Sequence, residues 1–208
     1  MKCRLITTAS ELKRTELLQT TLKRYNWDYH IITHSWQGFG DKILKTAEYL
    51  KANRDITHFF YSDSYDTLAF DTMEVALSRI TNFDCILMSG ERACYPHPDK
   101  AVRYPEHNSP FKYVNGGGWF CNSEVFLKAV KDYPLTQETV DQVWFTDLFL
   151  NRPDIVKLDY NCEIFQTIAF CPEDNFGIIE GKVFNTITKT FPIFVHANGK
   201  TNYDRFIL

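Results

Sequence analysis

The sequence lacks any apolar run long enough to cross a membrane, for which about 18 consecutive apolar residues are needed. The first residues, Met1–Thr8, contain an apolar stretch that is too short for a secretory signal and that leads into a charged helical pattern. We therefore expect a protein that has no membrane partner and works in the cytoplasm.

An excess of charge of one sign is also lacking. The 23 lysines and arginines face 26 aspartates and glutamates, giving a net charge of −3, so no overall field draws the chain to nucleic acid. Glycine and proline number only 9 and 8 in 208 residues, which excludes collagen-like and low-complexity chains. Aromatic residues, at 15%, are abundant enough to build a dense core and to supply stacking surfaces for flat ligands.

Cysteine pairs with the CxxC spacing of metal and redox motifs are absent. The six cysteines are scattered: Cys3, Cys85, Cys94, Cys121, Cys162 and Cys171. This scatter predicts free thiols in a reducing compartment, rather than a disulfide framework or a zinc site.

What the sequence does contain is an alternation of apolar segments and amphipathic helical patterns. Strands are predicted at 3–8, 27–33, 57–62 and 85–88. Helical spacing lies between them, as in Leu18 and Leu22 and in Ile43, Ala47 and Leu50. This alternation predicts an α/β fold with a mainly parallel central sheet flanked by helices.

The pattern is interrupted between Gly90 and Gly118, where four prolines and the run Gly116–Gly118 predict a long irregular loop. Loops of this length inside compact domains are usually functional. Further strands are predicted at 119–121, 177–187 and 191–195. No repeat or linker is visible, so we predict one domain over residues 1–208.

The sharpest signal for chemistry is Asp63-Ser64-Tyr65-Asp66, directly after an apolar strand. Ligands of open α/β sheets bind at the carboxyl ends of strands. Two carboxylates three residues apart can converge on a hard cation such as Mg²⁺ or Mn²⁺. A solvated turn in which Asp63 caps a helix explains the same motif.

The second signal is His196-Ala197-Asn198-Gly199-Lys200, which follows another apolar run. An imidazole beside two carboxylates shifts the preferred metal from Mg²⁺ towards Mn²⁺. Gly199 permits close approach of the backbone to a phosphate, and Lys200 offers a positive charge. A buried histidine hydrogen-bonded in a turn is the alternative.

Weaker signals are spread along the rest of the chain. Asp141 opens an amphipathic helix, where it could accept a proton from a substrate or simply interact with the helix dipole. Asn115 precedes the glycine run, and Glu91 lies just beyond the end of the fourth predicted strand, where either could contact a sugar. Trp36 and Tyr65 could stack on a flat base or pack in the core.

Taken in order, these motifs resemble one family of enzymes. They are Phe59-Phe60-Tyr61-Ser62-Asp63-Ser64-Tyr65-Asp66, Glu91 with Cys94-Tyr95-Pro96, Tyr104-Pro105, Tyr113-Val114-Asn115-Gly116-Gly117-Gly118, Asp141-Gln142, Leu158-Asp159, Ile164-Phe165-Gln166 and His196-Ala197-Asn198-Gly199. The series resembles the glycosyltransferase domain of procollagen lysyl hydroxylases and collagen galactosyltransferase-like proteins, and it spans nearly the whole chain. The resemblance implies a single GT-A (Rossmann-like) nucleotide-sugar transferase domain.

The resemblance also implies a role for each candidate residue. Asp63, Asp66 and His196 would hold a divalent metal, Mn²⁺ or Mg²⁺, on the diphosphate of a UDP-sugar. The remaining donor-side candidates are Thr7, Thr8, Trp36, Lys42, Tyr65, Gly117, Asn198, Gly199 and Lys200. The candidates for catalysis on the sugar and acceptor side are Asp141, Asn115 and Glu91.

Three positions depart from the family pattern. An Asp-Asp-Gln motif reads Val140-Asp141-Gln142, a Cys-Trp-Pro motif reads Cys94-Tyr95-Pro96, and an Asn-Ser-Gly motif reads Asn115-Gly116-Gly117. These changes lie where the sugar and the acceptor are chosen, so they concern substrate identity more than the metal and diphosphate.

The sequence thus predicts a metal-dependent glycosyltransferase that moves glucose or galactose from a UDP-sugar to an acceptor hydroxyl. A glycan, a protein side chain and a hydroxymethylated pyrimidine in DNA are all open as acceptors, and the last suits a virus-encoded enzyme. DNA binding would require a local basic surface, for which Lys100, Arg103, Lys112 and Lys128 are available. Two alternatives remain open: a non-catalytic nucleotide-sugar-binding module and a metal-dependent phosphohydrolase.

Overall fold

A computed structural model of the chain describes residues 1–199 and 201–206, without the side chain of Arg205. The strands are β1 (Cys3–Ala9), β2 (Tyr29–Thr33), β3 (His58–Ser62), β4 (Thr67–Ala69), β5 (Ile86–Glu91), β6 (Tyr113–Asn122), β7 (Val156–Asp159), β8 (Phe165–Thr167), β9 (Phe176–Ile179), β10 (Lys182–Asn185) and β11 (Phe194–His196). The α-helices are α1 (Glu16–Arg24), α2 (Asp41–Ala52), α3 (Met73–Arg79), α4 (Ser123–Asp132) and α5 (Asp141–Asn151).

A six-stranded sheet in the order β2-β1-β3-β6-β5-β7 forms the centre of the molecule. β1 pairs in parallel with β2 and β3, and β5 pairs in parallel with β7. β6 is antiparallel to both β3 and β5, so five strands run one way and β6 runs the other. The predicted α/β class with a mainly parallel sheet is confirmed.

Helices cover both faces of this sheet because successive strand residues point to opposite sides. Ile6 and Phe59 pack with apolar residues of α2, α4 and α5, whereas their neighbours Leu5 and Phe60 pack with those of α1 and α3. In the centre, Tyr61 and Trp119 stack across β3 and β6 with ring centroids 3.8 Å apart.

The predicted irregular loop from Gly90 to Gly118 is wrong at both ends. β5 continues to Glu91, and β6 begins at Tyr113 and includes the three glycines. Glycine is depleted in strands, which is why the run resembles a turn. Here the glycines are required by close neighbours: a Cβ on Gly118 would lie 2.8 Å from the Phe165 ring.

Two C-terminal predictions are also corrected. The segment predicted as a strand at 177–187 is a hairpin of β9 and β10, which turns at Gly181 with a φ of +74°. The strand predicted at 191–195 begins later than expected. It is β11, which starts at Phe194, so Phe191 and Pro192 lie before its paired residues.

A small sheet, β4-β11-β8, brings His196 to the carboxyl end of β3. β11 pairs in parallel with β8 and antiparallel with β4. Thr167 at the end of β8 donates a hydrogen bond to the Gly90 carbonyl oxygen at 2.9 Å, which fixes the small sheet to the central one.

All six cysteines lie within the described residues and are free thiols, as the scattered spacing predicted. Within residues 1–199 and 201–206, no helix combines the length and apolarity needed to cross a bilayer.

The contact between Gly118 and Phe165 gives a test of this packing. Phe165 is buried and stacks on Phe194, so it has no room to move away from an added methyl group. We expect Gly118→Ala to lower the free energy of unfolding by about 1–3 kcal/mol. For a chain of this size, that lowers Tm by roughly 2–4 °C per kcal/mol.

The matched control is Gly177→Ala in β9, where a Cβ would meet no atom within 4 Å. Thermal unfolding of the two variants, followed by circular dichroism, measures the difference. Equal Tm values for the two variants would contradict the proposed overlap at Gly118.

Candidate functional site

The acidic turn after β3 is held in place by two backbone hydrogen bonds. The Asp63 N–H donates to the Gly117 carbonyl oxygen at 2.8 Å, and the Ala197 N–H donates to the Asp66 carbonyl oxygen at 2.7 Å. The first bond ties the turn to β6 and the second ties it to the end of β11. Segments far apart in sequence therefore meet at this turn.

Asp63, Asp66 and His196 form one cluster, as the sequence predicted. The His196 Nε2 lies 3.3 Å from Asp66 Oδ1 and 3.7 Å from Asp63 Oδ2. One ligand atom from each of the three side chains lies within 4.8 Å of the other two. Two carboxylates and an imidazole at this separation are a donor set suited to Mn²⁺ or Mg²⁺.

The pKa values of the cluster show that its charges depend on one another. Burial lowers the pKa of His196, but Asp66 and Asp63 together raise it above its ordinary value. Burial raises the pKa of Asp66, but the charge of His196 and its hydrogen bond hold it below the ordinary range. The pKa of Asp63 is raised, because burial outweighs the attraction of Lys42 and His196.

The backbone of β6 passes directly under the cluster at Gly117. A Cβ at this position would lie 2.1 Å from His196 Cε1 and 2.9 Å from Asp63 Oδ2. Any side chain would therefore displace two of the three cluster residues. The three donors and the space that this glycine leaves for them fit a divalent cation.

Lys42, on the first turn of α2, joins the cluster to the start of α5. Its Nζ lies 2.8 Å from Asp63 Oδ1 and 2.7 Å from Asp141 Oδ2, and it donates to the Gly116 carbonyl oxygen at 3.2 Å. Burial lowers the pKa of Lys42, but Asp141 and Asp63 raise it well above its ordinary value. The ammonium group is therefore charged and held between two carboxylates.

Glu91, at the end of β5, is buried beneath the cluster and accepts hydrogen bonds from three amides. Asn198 Nδ2 lies 2.9 Å from Glu91 Oε2, Asn115 Nδ2 lies 3.3 Å from the same oxygen, and Gln142 Nε2 contacts Oε1. Burial raises the pKa of Glu91 to about 7, although all three amides oppose this.

Asn115 connects this network to His196. Its Oδ1 accepts from the Gly117 N–H at 2.9 Å and lies 3.2 Å from His196 Nδ1. Because an amide oxygen only accepts, Nδ1 carries the proton in this arrangement. Nε2 then faces the carboxylates, as in metal sites where a second residue fixes the tautomer of a histidine ligand.

Two open cavities meet at the cluster. The first, of about 480 Å³, is lined by Thr8, Ser10, Arg14, Trp36, Phe39, Lys42, Tyr61, Asp63, Ser64, Tyr65 and Asp66. The second, of about 530 Å³, is lined by Phe39, Lys42, Asp63, Asp66, Glu91, Tyr95, Pro96, Asn115, Gly116, Gly117, Val140, Asp141, Gln142, Ala169, Phe170, His196, Asn198 and Gly199. We name them after the roles that the sequence resemblance implies, the donor-side and the acceptor-side cavity, and they share Phe39, Lys42, Asp63 and Asp66.

A family model described as the PLOD GT domain matches residues 13–205. The chain belongs to the PLOD GT domain family. This match covers nearly the whole chain, and it confirms the resemblance seen in the order of the sequence motifs.

Two curated relatives are longer than this chain and match it over part of their own length. An uncharacterized protein of Acanthamoeba polyphaga mimivirus is 28% identical over 165 residues, which cover 78% of this chain and 36% of the relative. The human multifunctional procollagen lysine hydroxylase and glycosyltransferase LH3 is 28% identical over 174 residues, which cover 79% of this chain and 24% of LH3. The chain therefore matches about a third or a quarter of these relatives.

Two solved glycosyltransferases share the fold. One is described as involved in glycosylation of the major capsid of PBCV-1; it has a TM-score of 0.60 at 10% identity and covers 99% of this chain and 97% of its own. The bifunctional glycosyltransferase WbbM has a TM-score of 0.58 at 11% identity, covering 97% of this chain and 46% of its own. These likenesses support the GT-A fold that the sequence resemblance implied.

Three residues that the resemblance assigned to the donor side, Trp36, Tyr65 and Thr8, line the same cavity of this PLOD GT domain. Trp36 is exposed at the donor-side cavity and packs edge-on against Phe39, with ring centroids 5.2 Å apart. The Tyr65 hydroxyl accepts hydrogen bonds from the backbone N–H groups of Ser10 and Glu11 at 2.8 and 2.9 Å. Thr8 lies on the same cavity wall, with its Oγ1 2.8 Å from the Tyr61 hydroxyl.

Other candidates lie elsewhere. Thr7 is completely buried and donates to the Ser62 carbonyl oxygen at 2.6 Å, so its side chain lies outside the donor-side cavity. Asn198 and Gly199 line the acceptor-side cavity instead. Lys200 lies outside the described residues.

Several residues that line the cavities were not among the site residues chosen from the sequence. Gln142 belongs to a motif, and in the structure its Nε2 contacts Glu91 while its Oε1 accepts from the Gly116 N–H at 3.3 Å. Phe39 lies between two glycines, which is a weak signal for an exposed loop. Arg14, whose guanidinium lies 4.3 Å from the centre of the Tyr65 ring, and Phe170 carry no local signal.

The raised pKa of Glu91 predicts how stability depends on pH. Its pKa rises from 4.5 to about 7 on folding, so the folded state binds this proton more tightly than the unfolded state. The resulting stabilisation is complete below about pH 4.5 and is lost as the pH rises through about 7. We expect Tm of the wild type, relative to that of Glu91→Gln, to fall by several degrees between pH 4.5 and 8.

Thermal unfolding with EDTA present, so that no metal contributes, measures this difference. Glu106→Gln, which removes an exposed glutamate, is the matched control. A Glu91→Gln difference that changes with pH no more than that of the control would show that Glu91 does not bind its proton in this way.

Proposed function

We propose that this chain is a metal-dependent glycosyltransferase that moves a sugar, glucose or galactose, from a UDP-sugar to an acceptor hydroxyl. The observation that carries the proposal is the cluster of Asp63, Asp66 and His196 at the junction of two cavities. A transferase needs two substrate sites that meet at the reacting bond, and this cluster lies at the junction of two cavities that could serve as those sites. Membership of the PLOD GT domain family supports the same reaction.

Asp63, Asp66 and His196 would hold the metal, with Mn²⁺ favoured because one donor is an imidazole nitrogen. When bound, the ion supplies positive charge that offsets the charge developing on the leaving diphosphate. Asn115 keeps the His196 ring in the orientation that leaves Nε2 facing the two carboxylates.

The donor-side cavity offers a surface for the nucleotide. The aromatic rings of Trp36 and Tyr65 can stack on a pyrimidine, and Thr8 offers a hydroxyl on the same wall. Lys42 lies at the boundary of the two cavities, where its charge holds Asp63 and Asp141 in place.

The acceptor-side cavity offers groups that can orient a sugar and take a proton. We assign Asp141 as the group that accepts the proton of the acceptor hydroxyl, with Lys42 fixing the orientation of its carboxylate at 2.7 Å. Glu91, with a pKa near neutrality, and Asn115 line the same cavity and can hydrogen-bond to sugar hydroxyls.

Release of UDP tests this function. The protein is incubated with Mn²⁺, UDP-glucose or UDP-galactose, and a panel of hydroxyl-bearing acceptors, and both UDP and inorganic phosphate are measured. Acceptor-dependent UDP release supports the transferase. Inorganic phosphate released instead would indicate a phosphohydrolase, and donor binding without turnover would indicate a binding module.

Removing one carboxylate should abolish this activity. We expect Asp66→Asn to lower UDP release at least a hundredfold, because the cluster loses a charged ligand, and to remove the rise in Tm that Mn²⁺ and UDP give the wild type. His196→Ala should weaken metal affinity less, because it removes a neutral ligand. The matched control is Asp99→Asn, since Asp99 is exposed and lies outside the cavity lining. Full activity of Asp66→Asn would exclude this carboxylate from the mechanism.

Gly117 allows a test that leaves every proposed ligand in the chain. We expect Gly117→Ala to weaken Mn²⁺ binding at least tenfold, because the added methyl group displaces His196 and Asp63. Titration calorimetry of the protein alone with Mn²⁺ measures this affinity. Gly177→Ala, which meets no neighbour, is the control. Unchanged affinity in Gly117→Ala would contradict the assignment of the metal to this cluster.

A further inference from the structure

Phe170 presents an exposed aromatic ring at the rim of the acceptor-side cavity. The residue is 73% exposed, and it follows β8 in a segment that lines the cavity together with Glu91 and Asn198. Tyr95, 67% exposed, lies on the same cavity wall. Burying a phenylalanine side chain stabilises a protein by roughly 1.5–3 kcal/mol, and this ring forgoes most of that gain.

The backbone of Phe170 is also strained. Its φ is +58°, in the left-handed region that bulky residues rarely adopt. Such a conformation costs about 1–3 kcal/mol and persists only where the surroundings enforce it, typically at functional sites. Neither the exposed ring nor the strained backbone stabilises the fold, so stability does not explain why a phenylalanine occupies position 170.

The surroundings that hold Phe170 belong to the Glu91 network. The Ala169 N–H donates to Asn198 Oδ1 at 3.0 Å, and Asn198 in turn donates to Glu91 at 2.9 Å. On the other side, the Arg92 guanidinium donates to the Phe170 carbonyl oxygen at 3.3 Å. These hydrogen bonds thus fix the backbone that carries the Phe170 ring at the rim of the cavity.

We propose that Phe170 determines acceptor specificity, and that the acceptor is a carbohydrate whose ring stacks on the Phe170 side chain. A sugar has an apolar face of C–H groups and an edge of hydroxyls. The acceptor-side cavity offers the complement, an aromatic rim above the polar groups of Asn115, Asp141 and Gln142. This inference rests on the proposed glycosyltransferase function, and it names the substrate class of the acceptor side.

The charges of the cavity favour a neutral acceptor over DNA. Among the described residues, Lys42 is the one lysine or arginine that lines the acceptor-side cavity, and it is held between Asp63 and Asp141. Binding of nucleic acid depends on lysines and arginines that contact phosphates. Of the four cations expected to form a basic surface, Lys100 and Lys128 are ion-paired with Asp147 and Asp132, and none of the four lines the acceptor-side cavity.

Saturation-transfer NMR tests the contact without requiring turnover. The probes are methyl β-galactoside and methyl β-glucoside, each titrated onto the protein with UDP and Mn²⁺ present. We expect saturation of the sugar C–H protons in the wild type and about tenfold weaker affinity in Phe170→Gly, the loss expected for one stacking contact of about 1.4 kcal/mol. Glycine adopts the left-handed backbone without strain, so the fold is retained, and Phe170→Trp should restore the affinity.

Lys189→Gly is the matched control. Lys189 also has a positive φ, of +61°, but it does not line either cavity, so sugar affinity should stay within about twofold of the wild type. In transfer assays, the KM for the sugar acceptor should rise about tenfold in Phe170→Gly and recover in Phe170→Trp.

Three results would overturn the inference: no sugar binding by the wild type, sugar affinity unchanged in Phe170→Gly, or tighter binding of DNA containing hydroxymethylated pyrimidines than of either sugar. Failure of the proposed function gives a different result. If sugar binding depends on Phe170 but no UDP-sugar is turned over, the carbohydrate site stands and the transferase proposal fails.

Discussion

The close passage of β6 beneath His196 is the constraint on which the rest of the site depends. At Gly117 the backbone comes so near that a Cβ would lie 2.1 Å from the imidazole. The same residue accepts a hydrogen bond from the Asp63 N–H and donates one to Asn115, which in turn meets His196. A residue without a side chain therefore joins the acidic turn, the histidine and the Glu91 network in one rigid unit.

The buried charges around this unit explain why a divalent cation fits it. Lys42 lies between Asp63 and Asp141, and His196 lies between Asp63 and Asp66. Even with His196 protonated, three carboxylates face two positive groups, so the cluster keeps an excess of negative charge. Uncompensated buried charge is costly, and a cation bound at the cluster would offset it. Among the described residues that line the acceptor-side cavity, the one lysine is Lys42, and both carboxylates beside it already pair with its charge. No lysine there is free to bind an anionic acceptor.

Much of the fold was predictable because its signals are local. Leu18 and Leu22 on one helix face, and the alternation of short apolar strands with helices, are enough to indicate a mainly parallel α/β sheet. The error at Gly116–Gly118 has a physical cause: glycine is depleted in strands, and its reason for being in β6 is the proximity of His196, Asp141 and Phe165. Such neighbours are distant along the chain, so they leave no mark on the local pattern.

The sequence by itself determined the alternation of strands and helices that makes the central sheet mainly parallel, the family, and the placement of Asp63, Asp66 and His196 at strand ends, but it did not indicate β4, β7 or β8. The features that it determined follow from hydrophobic periodicity and from motifs of adjacent residues. Only the tertiary structure decided that Thr7 is buried, that Lys42 is held between two carboxylates, and that Phe170 is exposed on a strained backbone. Each of these depends on contacts between segments distant along the chain, and a residue's type does not specify which distant group will lie against it.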